Sequence, residues 1–83
     1  MTVTVKYFAS IRETIGASSE VVATTALTLA ALRDQLIAQG GVHAECLARG
    51  QAVRIALNQV MCDETAALFE GAEVAFFPPV TGG

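Results

Sequence analysis

The residues whose types and spacing best suit chemistry stand at the end of the chain. Gly82 and Gly83 follow Phe77-Pro78-Pro79-Val80-Thr81. Two consecutive terminal glycines arise by chance at a frequency of about 0.5%, taking glycine usage near 7% per position. What precedes them argues against a frayed end or an expression scar. Proline fixes φ and drives the residue before it to extended backbone, so Phe77-Pro78-Pro79 predicts a stiff exit from the last strand. From Val80 to Gly83 an extended chain reaches roughly 13 Å, at about 3.3 Å per residue. Gly82 and Gly83 carry no Cβ and can thread a channel that excludes other residues. The expectation is a domain over residues 1–79 and a flexible tail over 80–83. The tail presents the Gly83 carboxylate to other proteins' active sites as a substrate is presented.

The other chemically capable side chains are poorly arranged. His43 and Cys46 stand at i, i+3 and could face each other on a helix, as a Cys–His pair requires. They are expected instead to be a surface histidine and a half-buried thiol. Cys62 has no second histidine to activate it and reads as a packed thiol. Asp63 and Glu64 are adjacent, so on a strand they point apart and cannot form an acid/base pair. No phosphate loop is present, and no resident catalytic pocket or bound metal is expected.

Composition narrows the classes further. Eighty-three residues make one domain with a single modest core. Of the 53% apolar residues, fifteen are alanine, so Val, Ile, Leu, Phe and Met must supply the bulk. A net charge of −3 with five scattered basic residues argues against nucleic acid. No segment approaches the ~18 apolar residues of a membrane span, and the first residues lack a signal-peptide pattern. Two cysteines sixteen positions apart suit a reducing compartment. A cytoplasmic location is expected.

The elements that must position the tail can be read from periodicity. Thr2 to Phe8 alternates with period two, with Val3, Val5 and Tyr7 on one face and Thr4, Lys6 and Phe8 on the other. Ser10-Ile11-Arg12-Glu13 reads as a capping box opening a short helix that Gly16 stops. A second strand is expected around Glu20 to Thr24, paired with the first. Thr28 suits the N-cap of the main helix, whose stripe is Leu29, Leu32, Leu36 and Ile37, with Arg33, Asp34 and Gln35 on the wet face and Gly40-Gly41 at the end. A short helix is expected between His43 and Arg49. Val53 to Leu57 is a strand with Val53, Ile55 and Leu57 inward. Asn58-Gln59 is a two-residue turn that sets Val60 inward and Met61 outward. Leu68 and Phe69 are expected to plug the core before Gly71. The last strand, Glu73 to Phe77, buries Val74 and Phe76 and turns Glu73, Ala75 and Phe77 outward. This order predicts an α+β fold of the β-grasp, ubiquitin-like type, a mixed sheet with one main helix across one face.

Strand alternation has a second consequence. Phe8, Met61 and Phe77 all fall on the outer, helix-free face, and three large apolar side chains there form a patch suited to a protein partner. Arg12 and Lys6 would border it as a polar rim. Pro78, Pro79, Val80 and Thr81 would extend the contact along the tail.

These residues resemble a known family. Val5-Lys6-Tyr7-Phe8-Ala9, Ile11-Arg12-Glu13, Ala56-Leu57-Asn58 and above all Glu73 to Gly83 are similar to the molybdopterin synthase small subunits. The likeness spans nearly the whole chain, although Ala17 to Gln51 agrees in pattern only. Ala72 departs from it: the family usually has Asp there, at what reads as a turn. The resemblance implies a ubiquitin-like sulfur carrier. It implies that an ATP-dependent adenylating enzyme of the ubiquitin-activating type converts the Gly83 carboxylate to an acyl-adenylate. A sulfur donor system would then displace AMP and leave a thiocarboxylate. Inside the synthase large subunit that sulfur would attack a cyclic pyranopterin monophosphate, two transfers forming the dithiolene. No cofactor would be bound by this chain, ATP being consumed by the activating partner. Related alternatives are a carrier serving the thiamin thiazole ring, a modifier joining Gly83 to a lysine, and a passive interaction domain.

Overall fold

The computed structural model describes residues 1–79. Val80, Thr81, Gly82 and Gly83, with the expectations placed on them, lie outside the described residues. Strand β1 (Thr2–Tyr7) leads into helix α1 (Ala9–Ile15) and strand β2 (Ser19–Ala23). Helices α2 (Leu29–Ala38) and α3 (Gly41–Leu47) follow, then the hairpin β3 (Arg54–Leu57) and β4 (Val60–Cys62), and finally β5 (Glu73–Phe77). The five strands form one mixed sheet in the order β2-β1-β5-β3-β4. β1 and β5 pair in parallel at its centre, with Val5 opposite Val74 and Tyr7 opposite Phe76, and the other three pairings are antiparallel. The β-grasp expectation is met.

The core follows from strand and helix periodicity. Val3, Val5 and Tyr7 of β1 and Val74 and Phe76 of β5 face Leu29, Leu32 and Leu36 of α2, with Ile11 and Leu47 closing the ends. Nine large side chains in this layer are fully buried. At about 1.5–3 kcal/mol each, such burial is the main term holding a domain this small together. Thr28 caps α2 by accepting the Ala31 N–H at 3.2 Å. Gly16, at φ 84°, ends α1 in the left-handed conformation, its N–H reaching Arg12 O at 2.8 Å.

Several local expectations are corrected. Helix α1 starts at Ala9 with Phe8 as N-cap and no side-chain cap, so Ser10 and Glu13 form no capping box. Arg33 is not on a wet face. It is 4% exposed, because its guanidinium is drawn under α3 by backbone oxygens: Nε donates to Leu47 O at 2.8 Å, and Nη2 to Ala48 O at 2.9 Å and Gln51 O at 3.3 Å. Nη1 completes the fork on Glu64 at 3.2 Å. These carbonyls end α3 and the turn after it, and a planar five-donor cation suits them better than water does. Arg49 adds an outer clamp onto Asp34, Glu64 and Ala30 O.

Val60 pairs with Leu57 as expected but is 66% exposed, at the start of a three-residue strand on the edge of the sheet. Leu68 plugs the core while Phe69 remains exposed. Ala72 is fully buried and holds Thr4 N–H on its carbonyl at 2.9 Å. The position closes a turn, its own N–H reaching Phe69 O at 3.1 Å, and is at the same time a core position joining the two central strands. Asp63 and Glu64 follow β4 instead of extending it; Asp63 turns back on the Thr65 N–H and hydroxyl, and Glu64 serves the two arginines.

Candidate functional site

Among the described residues no helix covers the outer face of the sheet, and alternation decides what it shows. Glu73, Ala75 and Phe77 of β5 point to it, as do Ala56 of β3 and Met61 of β4, which pair across the strands as Ala56–Ala75 and Ala56–Met61. Phe8 extends the outward set of β1 beside Phe77, held by its N–H to Phe76 O at 3.2 Å. Together Phe8, Ala56, Gln59, Met61, Glu73, Ala75 and Phe77 line a groove of about 410 Å³. Its floor is the two alanines, and its walls are the rings of Phe8 and Phe77 and the Met61 thioether. Phe8 is 45% and Met61 54% exposed, so the apolar walls face solvent in the isolated chain.

The rim is polar. Lys6 Nζ pairs with Glu73 at 3.2 Å along one edge. Arg12 lies outside the groove, lining a neighbouring hollow with Lys6, Tyr7, Phe8, Ser18 and Ser19. The turn of Asn58 is tied to the last strand, with its N–H on Glu73 O and its Oδ1 accepting the Glu73 N–H, both at 2.8 Å. Pro78 lies at the end of this strand and lines a cleft on the helical side, between α1 and α3.

The structure brings Phe8, Met61 and Phe77 together as alternation predicts, with Lys6 and Arg12 near their edge. Alternation also turned Ala75 and Glu73 outward, but the floor that Ala56 and Ala75 build was missed. Small residues paired at the centre of a helix-free sheet face are the signal that marks a trough between large neighbours. Gln59 was read as a turn residue alone.

The remaining titratable groups do not converge on the groove. His43 is not a surface residue: Nε2 lies 2.8 Å from Glu20, which also accepts the Tyr7 hydroxyl at 2.6 Å, and the ring meets Tyr7 edge-on at 6.1 Å. The hydrogen bonds from His43 and then Tyr7 hold the Glu20 carboxyl below the usual carboxylate range. Burial, reinforced by the bond to Glu20, drives the Tyr7 phenol above its ordinary range. This trio fastens α3 to β1 and β2 on the inner face. Cys46 turns its thiol to Val42 O at 3.1 Å, and burial raises both its pKa and that of Cys62. Neither is activated as a nucleophile. Among the described residues, no group of His, Cys, Asp and Glu could hold a metal ion, and no helix is long and apolar enough to cross a membrane.

Comparison with known proteins agrees with this geometry. The ThiS family model matches residues 5–83. The molybdopterin synthase sulfur carrier subunit of Escherichia coli is 42% identical over 79 residues, which are 95% of this chain and 96% of that protein. Among solved structures, SAMP1 from Haloferax volcanii superposes with a TM-score of 0.80 over the full length of both chains at 24% identity. A complex of subunits 1 and 2 of the molybdopterin-converting factor from Helicobacter pylori matches with a TM-score of 0.70 at 28% identity, again over the full length of both chains. The chain belongs to the ThiS family and, within it, to the molybdopterin synthase sulfur carrier subunits.

Proposed function

We propose that this chain carries sulfur on Gly83 and delivers it to the large subunit of molybdopterin synthase, docking through the groove of Phe8, Met61 and Phe77. The observation that carries the reading is the placement of that groove on the strand that leads to the tail. Phe77 forms one of its walls, and only Pro78 and Pro79 separate Phe77 from Val80. A partner seated on the groove therefore holds the root of the tail in a defined place. Family membership and the neighbouring two-subunit complex support the choice of partner.

The chemistry requires little of this chain beyond its terminus. A carboxylate is a poor electrophile until its oxygen becomes a good leaving group. An adenylating enzyme of the ubiquitin-activating type supplies this by transferring AMP from ATP to the Gly83 carboxylate, with pyrophosphate as the leaving group. A donor that supplies sulfur at the sulfide level then attacks the acyl carbon through sulfur, AMP departs with the bonding electrons, the sulfur's proton passes to solvent, and the thiocarboxylate remains as the better nucleophile. In the large subunit that sulfur attacks a cyclic pyranopterin monophosphate, water then cleaves the bond between the Gly83 acyl carbon and sulfur to return the carboxylate, and a second charged copy completes the dithiolene. Gly82 keeps the tip slender enough to thread both sites. Pro78, Pro79, Val80 and Thr81 are its remaining contacts with the partners, and Arg12 adds a charged contact beside the groove. With both cysteines free, a reducing cytoplasm suits this work.

The test is intact-mass analysis after incubation with ATP, an adenylating enzyme and a sulfur source. Exchange of one Gly83 oxygen for sulfur is expected. No change with any partner, or an isopeptide bond to a lysine in place of sulfur, would overturn the proposal. Deletion of Gly83 is expected to abolish sulfur transfer while leaving the melting temperature unchanged.

A further inference from the structure

Three non-glycine residues among those described hold left-handed backbone: Ala9 at φ 52°, Asn58 at 48° and Gln59 at 69°. Each lines the apolar groove or directly adjoins a residue that does. Gln59 is in the lining, Asn58 precedes it, and Ala9 follows Phe8. Two of the three have ordinary reasons. Asn58 and Gln59 are the central pair of a two-residue hairpin, whose twist favours positive φ at both positions. Asn58 is further held by its bonds to Glu73.

Ala9 has neither reason. It sits in no hairpin, its methyl group can accept no hydrogen bond, and it is the first residue of a helix, where right-handed backbone is the norm. L-residues persist in such conformations only where their surroundings over-determine them, and these positions gather at ligand clamps. The surroundings are visible here. Phe8 remains extended, at φ −129° and ψ 156°, with its N–H on Phe76 O at 3.2 Å, and its carbonyl accepts the Arg12 N–H at 3.3 Å. Phe8 thus continues the outward set of β1, while α1 departs to the inner face and buries Ile11. The left-handed step at Ala9 separates these two demands within one residue.

We infer that Ala9 is a positioning residue: its constrained backbone sets the Phe8 ring as a wall of the groove before any partner arrives. This rests on the docking reading above. A wall already in place spares the ordering that a mobile side chain undergoes on association.

The test uses the full chain and the purified synthase large subunit. Glycine at position 9 adopts the same φ without strain but frees the link. Ala9→Gly is expected to keep the fold, with an unchanged or higher melting temperature, and to weaken the dissociation constant roughly three- to tenfold. In a Phe8→Ala background the same change is expected to have no further effect on binding. Replacement of Ala9 by D-alanine, which favours positive φ and remains stiff, is expected to preserve both fold and affinity. If Phe8→Ala weakens binding but Ala9→Gly leaves it unaltered, or weakens it equally with and without the Phe8 ring, the positioning role is overturned. Loss of folding with D-alanine would overturn it as well. If Phe8→Ala itself binds normally, the docking reading fails instead.

Discussion

Phe76 and Phe77 are consecutive residues of one strand with the same side chain, and they occupy opposite worlds. Phe76 is fully buried and lies stacked at 6.3 Å from Tyr7, beneath the helices. Phe77 stands on the bare face as a wall of a groove floored by Ala56 and Ala75. The contrast holds for the whole sheet. Inner positions are covered by α1, α2 and α3 and supply the folding free energy, while among the described residues no helix covers the outer positions. Because side chains alternate with period two, the two duties are interleaved residue by residue and still remain separable. Such a division lets the recognition surface change without loss of the core beneath it.

The comparison can be broken or sharpened by substitution. The largest effect is expected from Phe76→Ala, which should cost about 3–5 kcal/mol through lost burial and an unfilled cavity. Denaturant unfolding measures it, and a cost near that of Phe77→Ala would erase the distinction between the faces. Next comes Arg33→Met, which keeps the volume but strands three carbonyls and Glu64; a loss of about 2–4 kcal/mol is expected in the same assay. Phe77→Ala should lower stability by only about 1 kcal/mol or less. It should weaken large-subunit binding at least about tenfold, as truncation of a central aromatic anchor does. Calorimetric titration decides this, and unaltered affinity would remove the groove from the recognition surface.

The smallest effect concerns the inner-face trio. The native state holds the Glu20 carboxyl below its ordinary range, so this contribution is present above the unfolded value of about 4.3 and is lost as pH falls through the depressed native one. The melting temperature of the parent chain should exceed that of Glu20→Gln near neutrality, and the gap should close in acid. A gap that stays constant into acid would show that the carboxylate charge does not matter to the trio.

Where local chemistry and periodicity act over a few residues, the fold was legible. The alternation of β1 and β5, the Thr28 cap, the Gly16 stop and the Asn58-Gln59 turn are all decided by near neighbours. From β1, β5 and the hairpin the groove walls followed. What stayed hidden depends on partners distant in sequence. Arg33 looked solvated because a helix pattern cannot register the carbonyls of residues 47, 48 and 51 that draw it inward. His43 looked exposed for the same reason, its place being set by Glu20 and Tyr7. The capping box at Ser10 failed because the helix begins two residues earlier than that reading, with Phe8 as N-cap, so Ser10 is already inside the first turn.

The parallel pairing of β1 with β5 also governs the order of events during synthesis. The strand made first and the strand made last among those described are neighbours at the centre of the sheet, so β1 emerges long before its partner exists. Sheet closure is a late, non-local event, and a product interrupted before residue 73 lacks the middle of the sheet. The Phe77 wall of the groove therefore exists only in products that have already acquired the strand that closes the sheet.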